Sequence, residues 1–321
     1  SATKQLSIEI SSGTNEITWA GPANVAVNNG PITLNGTSNS GLTITYTSNT
    51  LSVCTVSGGV VTILTRGTCT ITATDPGNSQ WVAATPVTRT FYILEVTTTS
   101  LAGGTARNAY SQTLAATRGA TGVYTWAVNT GCLTRTGLSL NTGTGVISGS
   151  SPVAGTYTCT YTATDSGVSA SKELTIVIGA GSNTLTFPTP ANRNTTGGTT
   201  TLGATSSSGL TIQYTSNSPS VCTVSGNLVT IVGPGECSIT ANDPGNGSYQ
   251  AATPVTRVFY VLAVTTTSLP NGNVTSSYSA TVEATLGATG VYTWSVNSGC
   301  LTSSGLSLNT ATGEISGANP V

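Results

Sequence analysis

The side chains that could do chemistry in this sequence are few and restricted in type. The 321 residues include seven cysteines, ten carboxylates and no histidine. Histidine is the usual general base of enzymes and a common metal ligand. No two cysteines have the CxxC spacing of a zinc site. We therefore predict that the protein is not an enzyme, has no cofactor and has no metal site.

The carboxylates stand singly along the chain rather than in pairs: Glu9, Glu16, Asp75, Glu95, Asp165, Glu173, Glu236, Asp243, Glu283 and Glu314. Asp75, Asp165 and Asp243 lie in DPG or DSG sequences, where an aspartate side chain caps its own turn. A calcium site is the alternative, but it needs six to eight oxygen ligands, and no acidic cluster supplies them. We interpret these aspartates as turn residues.

Charged residues also recur in a regular pattern. Asp75 with Arg89, and Asp243 with Arg257, have the same spacing, which predicts an ion pair between strands in each case. Lys4 and Lys172 are the only lysines. An isopeptide bond from Lys172 is an alternative role for that residue, but no matching acid is evident.

The whole sequence repeats with a period of 168 residues. Cys54 and Cys222, Trp126 and Trp294, and the DPGN turns at Asp75 and Asp243 all have this separation. Each period divides into two unlike halves, A and B. We predict modules A1 (11–95), B1 (96–178) and A2 (179–263), an incomplete module B2 (264–321), and a closing strand at 1–10.

The repeat also pairs the cysteines. Each complete module contains two of them, which predicts the disulfides Cys54 with Cys69, Cys132 with Cys159, and Cys222 with Cys237. Each bond closes a short loop, a constraint worth roughly 3 kcal/mol in the chain-entropy model. Cys300 corresponds to Cys132 and has no partner within the chain. Disulfides predict an oxidising, extracellular location.

Composition restricts the fold and the partners. Charged residues make up 6% of the chain, and the formal net charge is −1. There is no basic cluster for nucleic acid, and no apolar run is long enough to span a membrane. Hydrophobic residues reach 37%, and Thr, Val and Gly abound, as in β-proteins with many turns. We predict a folded, all-β chain.

The A half contains short alternating runs separated by turn sequences, in LTITYTSNTLSVCTVSGGVVTILTRGTCTITATDPGN. In TCTITA the residues Cys69, Ile71 and Ala73 share one face, which we assign to the core, and threonines share the other. An ice-binding hydroxyl array is the alternative role for those threonines, but sheet twist opposes it. The strand spacing predicts an antiparallel β-sandwich.

The B half predicts a second small sandwich. Tyr124, Trp126 and Val128 alternate inward, and GLSLNTGTGVISG predicts a tight hairpin with glycine at positions of positive φ.

At this point the motifs resemble known families. The B half resembles the Putative Ig domain of bacterial and archaeal surface proteins through YTW, GLSLN, TGxISG, AGTY and TDS. The A half is similar to bacterial immunoglobulin-like repeats through YTS, VxTVSG, ITA and ATPVTR. The resemblance implies tandem immunoglobulin-like modules at the cell surface, which act as spacers, stalks and adhesin repeats.

Short connections between modules predict a stiff rod rather than loosely linked domains. The leading hypothesis is a structural segment of a secreted or surface filament, sheath or stalk that associates with copies of itself or with further repeats. The alternative is an adhesin repeat whose partner is a surface glycan or a protein.

The first ten residues, SATKQLSIEI, match residues 169–178, which close module B1. The last residues match the sequence before the final two strands of B1. We expect this chain to be a section of a longer repeat protein. The alternative is that residues 1–10 complete module B2 of a neighbouring copy by strand donation.

Overall fold

The computed structural model describes residues 3–117, 119–285, 290–301, 303–318 and 320–321. It divides into two compact units, Ser1–Gly181 and Ser182–Val321. Throughout the described residues the regular secondary structure is β-strand without helix. No helix in this part of the chain is therefore long and apolar enough to cross a lipid bilayer.

The first half of unit 1 is a sandwich of two main sheets. Its strands are β1 (Ile17–Thr18), β2 (Val25–Ala26), β3 (Ile32–Thr33), β4 (Thr37–Ser38), β5 (Thr45–Ser48), β6 (Cys54–Ser57), β7 (Val60–Ile63), β8 (Gly67–Thr74) and β9 (Val87–Leu94). One sheet has the order β2-β9-β8-β5 and the other has the order β3-β7-β6, while β1 pairs with β4.

The alternation along β8 explains this core. Cys69, Ile71 and Ala73 are fully buried, as the alternation predicted. Phe91 and Ile93 of the neighbouring β9 pack in the same cluster. Burying each large apolar side chain contributes about 1.5–3 kcal/mol, so the core-facing residues of β8 and β9 contribute substantially to the stability of the sandwich.

The second half of unit 1 is another two-sheet sandwich. Its strands are β10 (Gly104–Thr105), β11 (Tyr110–Thr113), β12 (Thr125–Val128), β13 (Ser139–Leu140), β14 (Val146–Gly149), β15 (Gly155–Asp165) and β16 (Val168–Gly179). The sheets have the orders β10-β16-β15-β12 and β11-β14-β13. The β15–β16 hairpin is the longest, and its turn residues Ser166 and Gly167 both have positive φ, as a type I′ turn requires.

Unit 2 begins with a sandwich of the first type. Its strands are β17 (Leu185–Thr186), β18 (Arg193–Asn194), β19 (Thr199–Thr201), β20 (Thr205–Ser206), β21 (Gln213–Ser216), β22 (Cys222–Ser225), β23 (Leu228–Ile231), β24 (Gly235–Asn242) and β25 (Val255–Leu262). The sheets have the orders β18-β25-β24-β21 and β19-β23-β22, with β17 paired to β20. Phe187, Ile239 and Phe259 lie in its core.

The described residues of 264–321 form one three-stranded sheet. It contains β26 (Tyr278–Thr281), β27 (Ser307–Leu308) and β28 (Glu314–Gly317) in the order β26-β28-β27. This sheet corresponds to the β11-β14-β13 sheet of unit 1. Several apolar side chains beside it, including Val264 and Val274, are exposed.

The sandwiches are not purely antiparallel, which corrects the predicted fold in one respect. The short strands β2, β10 and β18 pair parallel to the last strand of their own sandwich, β9, β16 and β25. In each sandwich the chain pairs for two residues along the edge of that last strand and then continues into the other sheet. Such an edge pairing is too short to leave a pattern in the sequence.

Gly145, in the hairpin between β13 and β14, leaves room for a buried side chain. Gly145 has φ of 71°, and a methyl group built on it would lie 2.7 Å from Nε1 of Trp126, which is buried. Gly167 has φ of 82°, but a methyl group there would meet nothing within 4 Å. These two positions separate the cost of positive φ from the cost of a steric clash.

We expect Gly145→Ala to destabilise unit 1 more than Gly167→Ala. Positive φ costs an alanine about 1–2 kcal/mol at either site, and displacing the buried indole adds about 1–3 kcal/mol at residue 145 alone. Urea unfolding followed by tryptophan fluorescence measures both free energies. Equal losses in the two variants would show that Trp126 does not depend on the missing Cβ.

Candidate functional site

Three disulfides join the cysteines in the pairs Cys54–Cys69, Cys132–Cys159 and Cys222–Cys237. In the sandwiches of the first type the bond crosses the core, because β6 and β8 belong to opposite sheets, as do β22 and β24. These four cysteines are fully buried. Six of the seven cysteines are therefore oxidised and form structural disulfides.

Cys132 and Cys300 differ although their sequences are alike. Cys132 lies in the loop after β12, and its bond ties that loop to β15 through Cys159. Cys300 is a free, exposed thiol.

Asp75 is buried beside a hydroxyl cluster. The hydroxyl oxygens of Ser38 and Ser40 each lie 2.7 Å from its Oδ2 atom. The backbone N–H of Gly77 donates to Oδ1 at 3.0 Å, so the aspartate caps its own turn as predicted. Hydrogen bonds from the surroundings, first from Asn15, hold the pKa of Asp75 well below its usual range.

Asp243 repeats this arrangement in unit 2. The side chains of Ser206 and Ser208 donate to its Oδ2 atom, and Asn183 Nδ2 donates to the same atom at 2.8 Å. The Gly245 N–H caps the turn at 2.9 Å. The hydrogen bonds, led by that of Ser206, hold the pKa of Asp243 well below its usual range.

Asp165 departs from the predicted role. Its carboxylate does not accept from its own turn backbone but from the loop 43–44 residues earlier, where the Thr121 hydroxyl donates at 2.8 Å and the Gly122 N–H donates at 3.0 Å. Burial raises the pKa of Asp165, but hydrogen bonds from Ser166 and Thr121 outweigh this effect and the pKa is lowered. The aspartate fastens the start of β12 to the β15–β16 turn.

The predicted ion pairs of Asp75 with Arg89 and of Asp243 with Arg257 are wrong. Arg89 Nε donates to the backbone carbonyl of Trp19 at 3.1 Å, and Arg257 Nε donates to that of Phe187 at 2.9 Å. Hydroxyl and amide groups already satisfy the carboxylates. Both arginines instead hold the first strand segment of the sandwich against its last strand.

The serine partners of these aspartates were not identified from the sequence. A signal for them exists: TSNSGL at residues 37–42 and TSSSGL at residues 205–210 are near-identical and occupy the same place before each DPGN turn. Two serines with one residue between them place both hydroxyls on one side of a turn. Their repetition with the aspartate could have indicated the contact.

Open clefts lie on both units, and two of them include a glutamate, Glu16 in unit 1 and Glu283 in unit 2. In the described residues no group of three or more cysteine, aspartate or glutamate side chains has the arrangement of a metal site. One open cleft of about 620 Å³ is lined by Tyr110, Leu138 and serines, and another of about 390 Å³ by Tyr292, Trp294 and threonines. Neither lining contains an acid or a base.

The outer sheet faces carry paired hydroxyls. Thr70 and Thr90 lie 3.1 Å apart through their Oγ1 atoms, and Thr72 and Thr88 lie 3.0 Å apart. In the second sandwich, Thr158 and Thr175 make the same contact at 2.9 Å. These cross-strand pairs give an uncharged, polar surface whose hydroxyls satisfy one another.

Backbone hydrogen bonds join consecutive sandwiches within each unit. In unit 1 the Glu95 N–H donates to Thr117 Oγ1 at 2.8 Å, and the Thr117 N–H donates back to the Glu95 carbonyl at 2.9 Å. Val96, which follows Leu94 after one residue, is already part of the next core. No flexible linker separates the two sandwiches.

Unit 2 has the same junction. The Ala263 N–H donates to Thr285 Oγ1 at 3.0 Å, and the Thr285 N–H donates to the Ala263 carbonyl at 2.9 Å. Val264 forms a β-bridge with Ala284, as Val96 does with Ala116. An ion pair between Arg66 and Glu95, at 3.0 Å, lies near the junction of unit 1 but is half-exposed and contributes little.

We expect the double substitution Cys54→Ala/Cys69→Ala to lower the free energy of unfolding of the first sandwich by roughly 3 kcal/mol, because the unfolded chain regains the freedom of the closed loop. Chemical denaturation without reductant measures this change. Cys300→Ala is the matched control and should leave the stability unchanged while removing the thiol that reacts with Ellman's reagent. A stable double variant would contradict a structural role for the bond.

We expect Asp75→Asn/Asp243→Asn to destabilise the chain at neutral pH and to lose this effect in acid. Since both carboxyl pKa values are lowered on folding, their stabilisation is complete above the unfolded value of about 3.9 and is lost as pH falls below it. Urea unfolding between pH 7 and pH 2 measures the free energy of unfolding of the parent and of the double variant. The difference between these two free energies should narrow below about pH 4.

Glu173→Gln, at an exposed carboxylate outside the network, is the control for that experiment. A gap between parent and double variant that stays constant down to pH 2 would contradict the role assigned to the two charges.

One part of this chain is similar to a known protein family. Residues 92–179 match the family described as Putative Ig domain. No curated protein matches the chain.

Solved structures with a similar arrangement include two tandem-domain proteins. Drosophila N-cadherin EC1-4 has 15% identity and a TM-score of 0.31, and the similarity covers 77% of this chain and 75% of that protein's chain. The Sidekick-1 immunoglobulin domains 1-5 have 12% identity and a TM-score of 0.25, covering 76% and 58%.

An α-galactosidase-like protein of Bacteroides fragilis has 20% identity and a TM-score of 0.24, covering 32% of this chain and 20% of its own. Likenesses of this size carry no information on function. The second sandwich of unit 1 is thus similar to the Putative Ig domain, as its motifs predicted, and the described residues of the chain form tandem all-β sandwiches.

Proposed function

We propose that this chain is a structural, non-catalytic repeat segment of a secreted or cell-surface filament, sheath or stalk, assembling head-to-tail with copies of itself or with further repeats. The immunoglobulin-like fold suits a structural or adhesive role. The observation that carries the narrower proposal is the junction between sandwiches, where reciprocal hydrogen bonds of Glu95 and Thr117 replace a linker.

The junction supports a load-bearing role because it restricts bending. A flexible connection would let neighbouring sandwiches reorient freely. Here the backbone of Val96 pairs with that of Ala116, and the Val96 side chain is buried in the following core. The equivalent bonds of Ala263 and Thr285 recur in unit 2. A stalk or filament needs this property at every junction.

The internal chemistry of the sandwiches supports an extracellular location. Each complete sandwich contains a disulfide, and such bonds persist in oxidising compartments. Its buried carboxylates are satisfied by hydroxyl and amide groups rather than by ion pairs, so salt does not screen the interactions that hold them. The fold therefore suits an environment of variable ionic strength.

A surface adhesin that binds a glycan is the second candidate. The cleft of unit 2 exposes part of Tyr292 and Trp294 beside threonine and asparagine side chains. Aromatic rings next to hydroxyl and amide groups are suited to the apolar and polar faces of a sugar. This candidate predicts a dispersed protein that binds glycans, and Trp294→Ala would abolish that binding.

We expect the purified chain to form fibres whose length grows with protein concentration. Negative-stain electron microscopy and light scattering at several salt concentrations measure the assembly, which should persist at high salt because few charges take part. A chain that stays monomeric at millimolar concentration and binds glycans on an array would overturn the filament proposal in favour of the adhesin.

A further inference from the structure

Two arginines of unit 1 have a backbone conformation that this residue type rarely adopts. Arg107, in the loop after β10, has φ of 67°, and Arg135, in the loop before β13, has φ of 65°. Both residues are exposed. A positive φ is strained for a residue with a Cβ atom, and strained residues are concentrated at functional sites. Both positions are therefore candidates for a binding role.

The fold brings these two loops to one end of the second sandwich of unit 1. The backbone N–H of Arg107 donates to the carbonyl of Pro152 at 3.1 Å. The backbone N–H of Val153 donates to the carbonyl of Thr136, the residue after Arg135, at 2.8 Å. Two arginines that are far apart in the sequence are thus held beside the same short segment, just before β15 begins.

The open cleft of about 620 Å³ lies next to both loops. Its lining includes Ala109 and Gly137, each of which follows one of the two arginines by two residues. Leu138 and Tyr110, which are buried, supply the apolar part of the lining. Hydroxyl groups come from Ser139, Ser148 and Ser150. The cleft therefore combines apolar surface and hydroxyl groups with two guanidinium groups on the adjoining loops.

The sequence around the cleft is basic, although the chain as a whole has few charges. Residues 96–153 contain three arginines and no carboxylate, whereas the corresponding residues 264–321 contain two glutamates and no basic residue. The three-stranded sheet forms in both regions with the same strand order. Pairing of this sheet therefore does not require the arginines, and their charge is available for another role.

The carboxylates of the same sandwich lie too far away to neutralise this end. Asp165 ends β15, which begins at Gly155, so the two ends of the strand are about 33 Å apart. Glu173 pairs with Thr160, about 17 Å from Gly155 along the same strand. Both distances exceed the Debye length of about 8 Å at physiological ionic strength. The two arginines thus give this end of the sandwich a positive potential.

We propose that this end of unit 1 binds an acidic polysaccharide. Arg107 and Arg135 pair with carboxylate groups of the sugar chain, and the serine hydroxyls of the cleft bond to its hydroxyl groups. A guanidinium group matches a carboxylate with two parallel hydrogen bonds. Glycines in the lining let the backbone approach a ligand closely. Nucleic acid suits the site less well, because two cations neutralise few phosphates. This binding needs no assembly of copies and goes beyond the structural role proposed above.

Calorimetric titration with polygalacturonate tests the proposal. Arg107→Asn/Arg135→Asn removes both charges and keeps the fold, because asparagine tolerates positive φ. The control Arg66→Gln/Lys172→Gln removes two positive charges elsewhere in unit 1. We expect the asparagine variant to bind at least tenfold more weakly than the parent, and the control to bind like the parent. Equal weakening in both variants, or a parent that does not bind, would overturn the proposal.

Measurements on the parent protein test the same site without any substitution. Raising the salt concentration from about 50 mM to about 500 mM should weaken the binding of polygalacturonate at least tenfold, because salt screens the charges. Neutral dextran should not bind. Binding that salt does not change, or equal binding of dextran, would overturn a role for the arginines. Polyglutamate carries carboxylates on a peptide and should bind more weakly, and equal binding would overturn the assignment to a carbohydrate.

Discussion

The structure depends on the burial of one face of the last strand in each sandwich. That strand, β9, β16 or β25, lies between a short parallel edge strand and a long antiparallel partner. Its inward side chains, such as Phe91 in β9 and Ile176 in β16, reach the middle of the core.

The second sandwich of unit 1 shows what this strand contributes. Val96, Leu101 and Ala106 are buried there. They share one core with the inward side chains of β16, Leu174, Ile176 and Ile178. The sheet of β26, β27 and β28 in unit 2 has the same pairing as its counterpart in unit 1.

The sequence predicted the parts of the fold that depend on local alternation. The inward row of Cys69, Ile71 and Ala73 follows from the two-residue period of a strand. Parallel pairing of β2 with β9 could not be predicted, because it involves two residues and a crossing between sheets.

The site was harder to predict than the core. The recurring spacing of Asp75 and Arg89 predicted an ion pair, but two hydroxyls at 2.7 Å satisfy the carboxylate instead. In a buried place an ion pair would have required desolvating an arginine as well, whereas a hydroxyl costs less to bury. In this chain, in which 6% of the residues are charged, neutral hydrogen-bond donors therefore satisfy the buried carboxylates.

The junction between sandwiches depends on the same kind of burial. The chain leaves the buried Leu94 and, two residues later, places Val96 in the following core, so the covalent backbone couples neighbouring sandwiches. Hydrogen bonds between Glu95 and Thr117 hold the chain at this point. Because bending the junction would break these bonds and expose Val96 to water, the burial of one side chain and the pairing of two backbone groups together make the connection stiff.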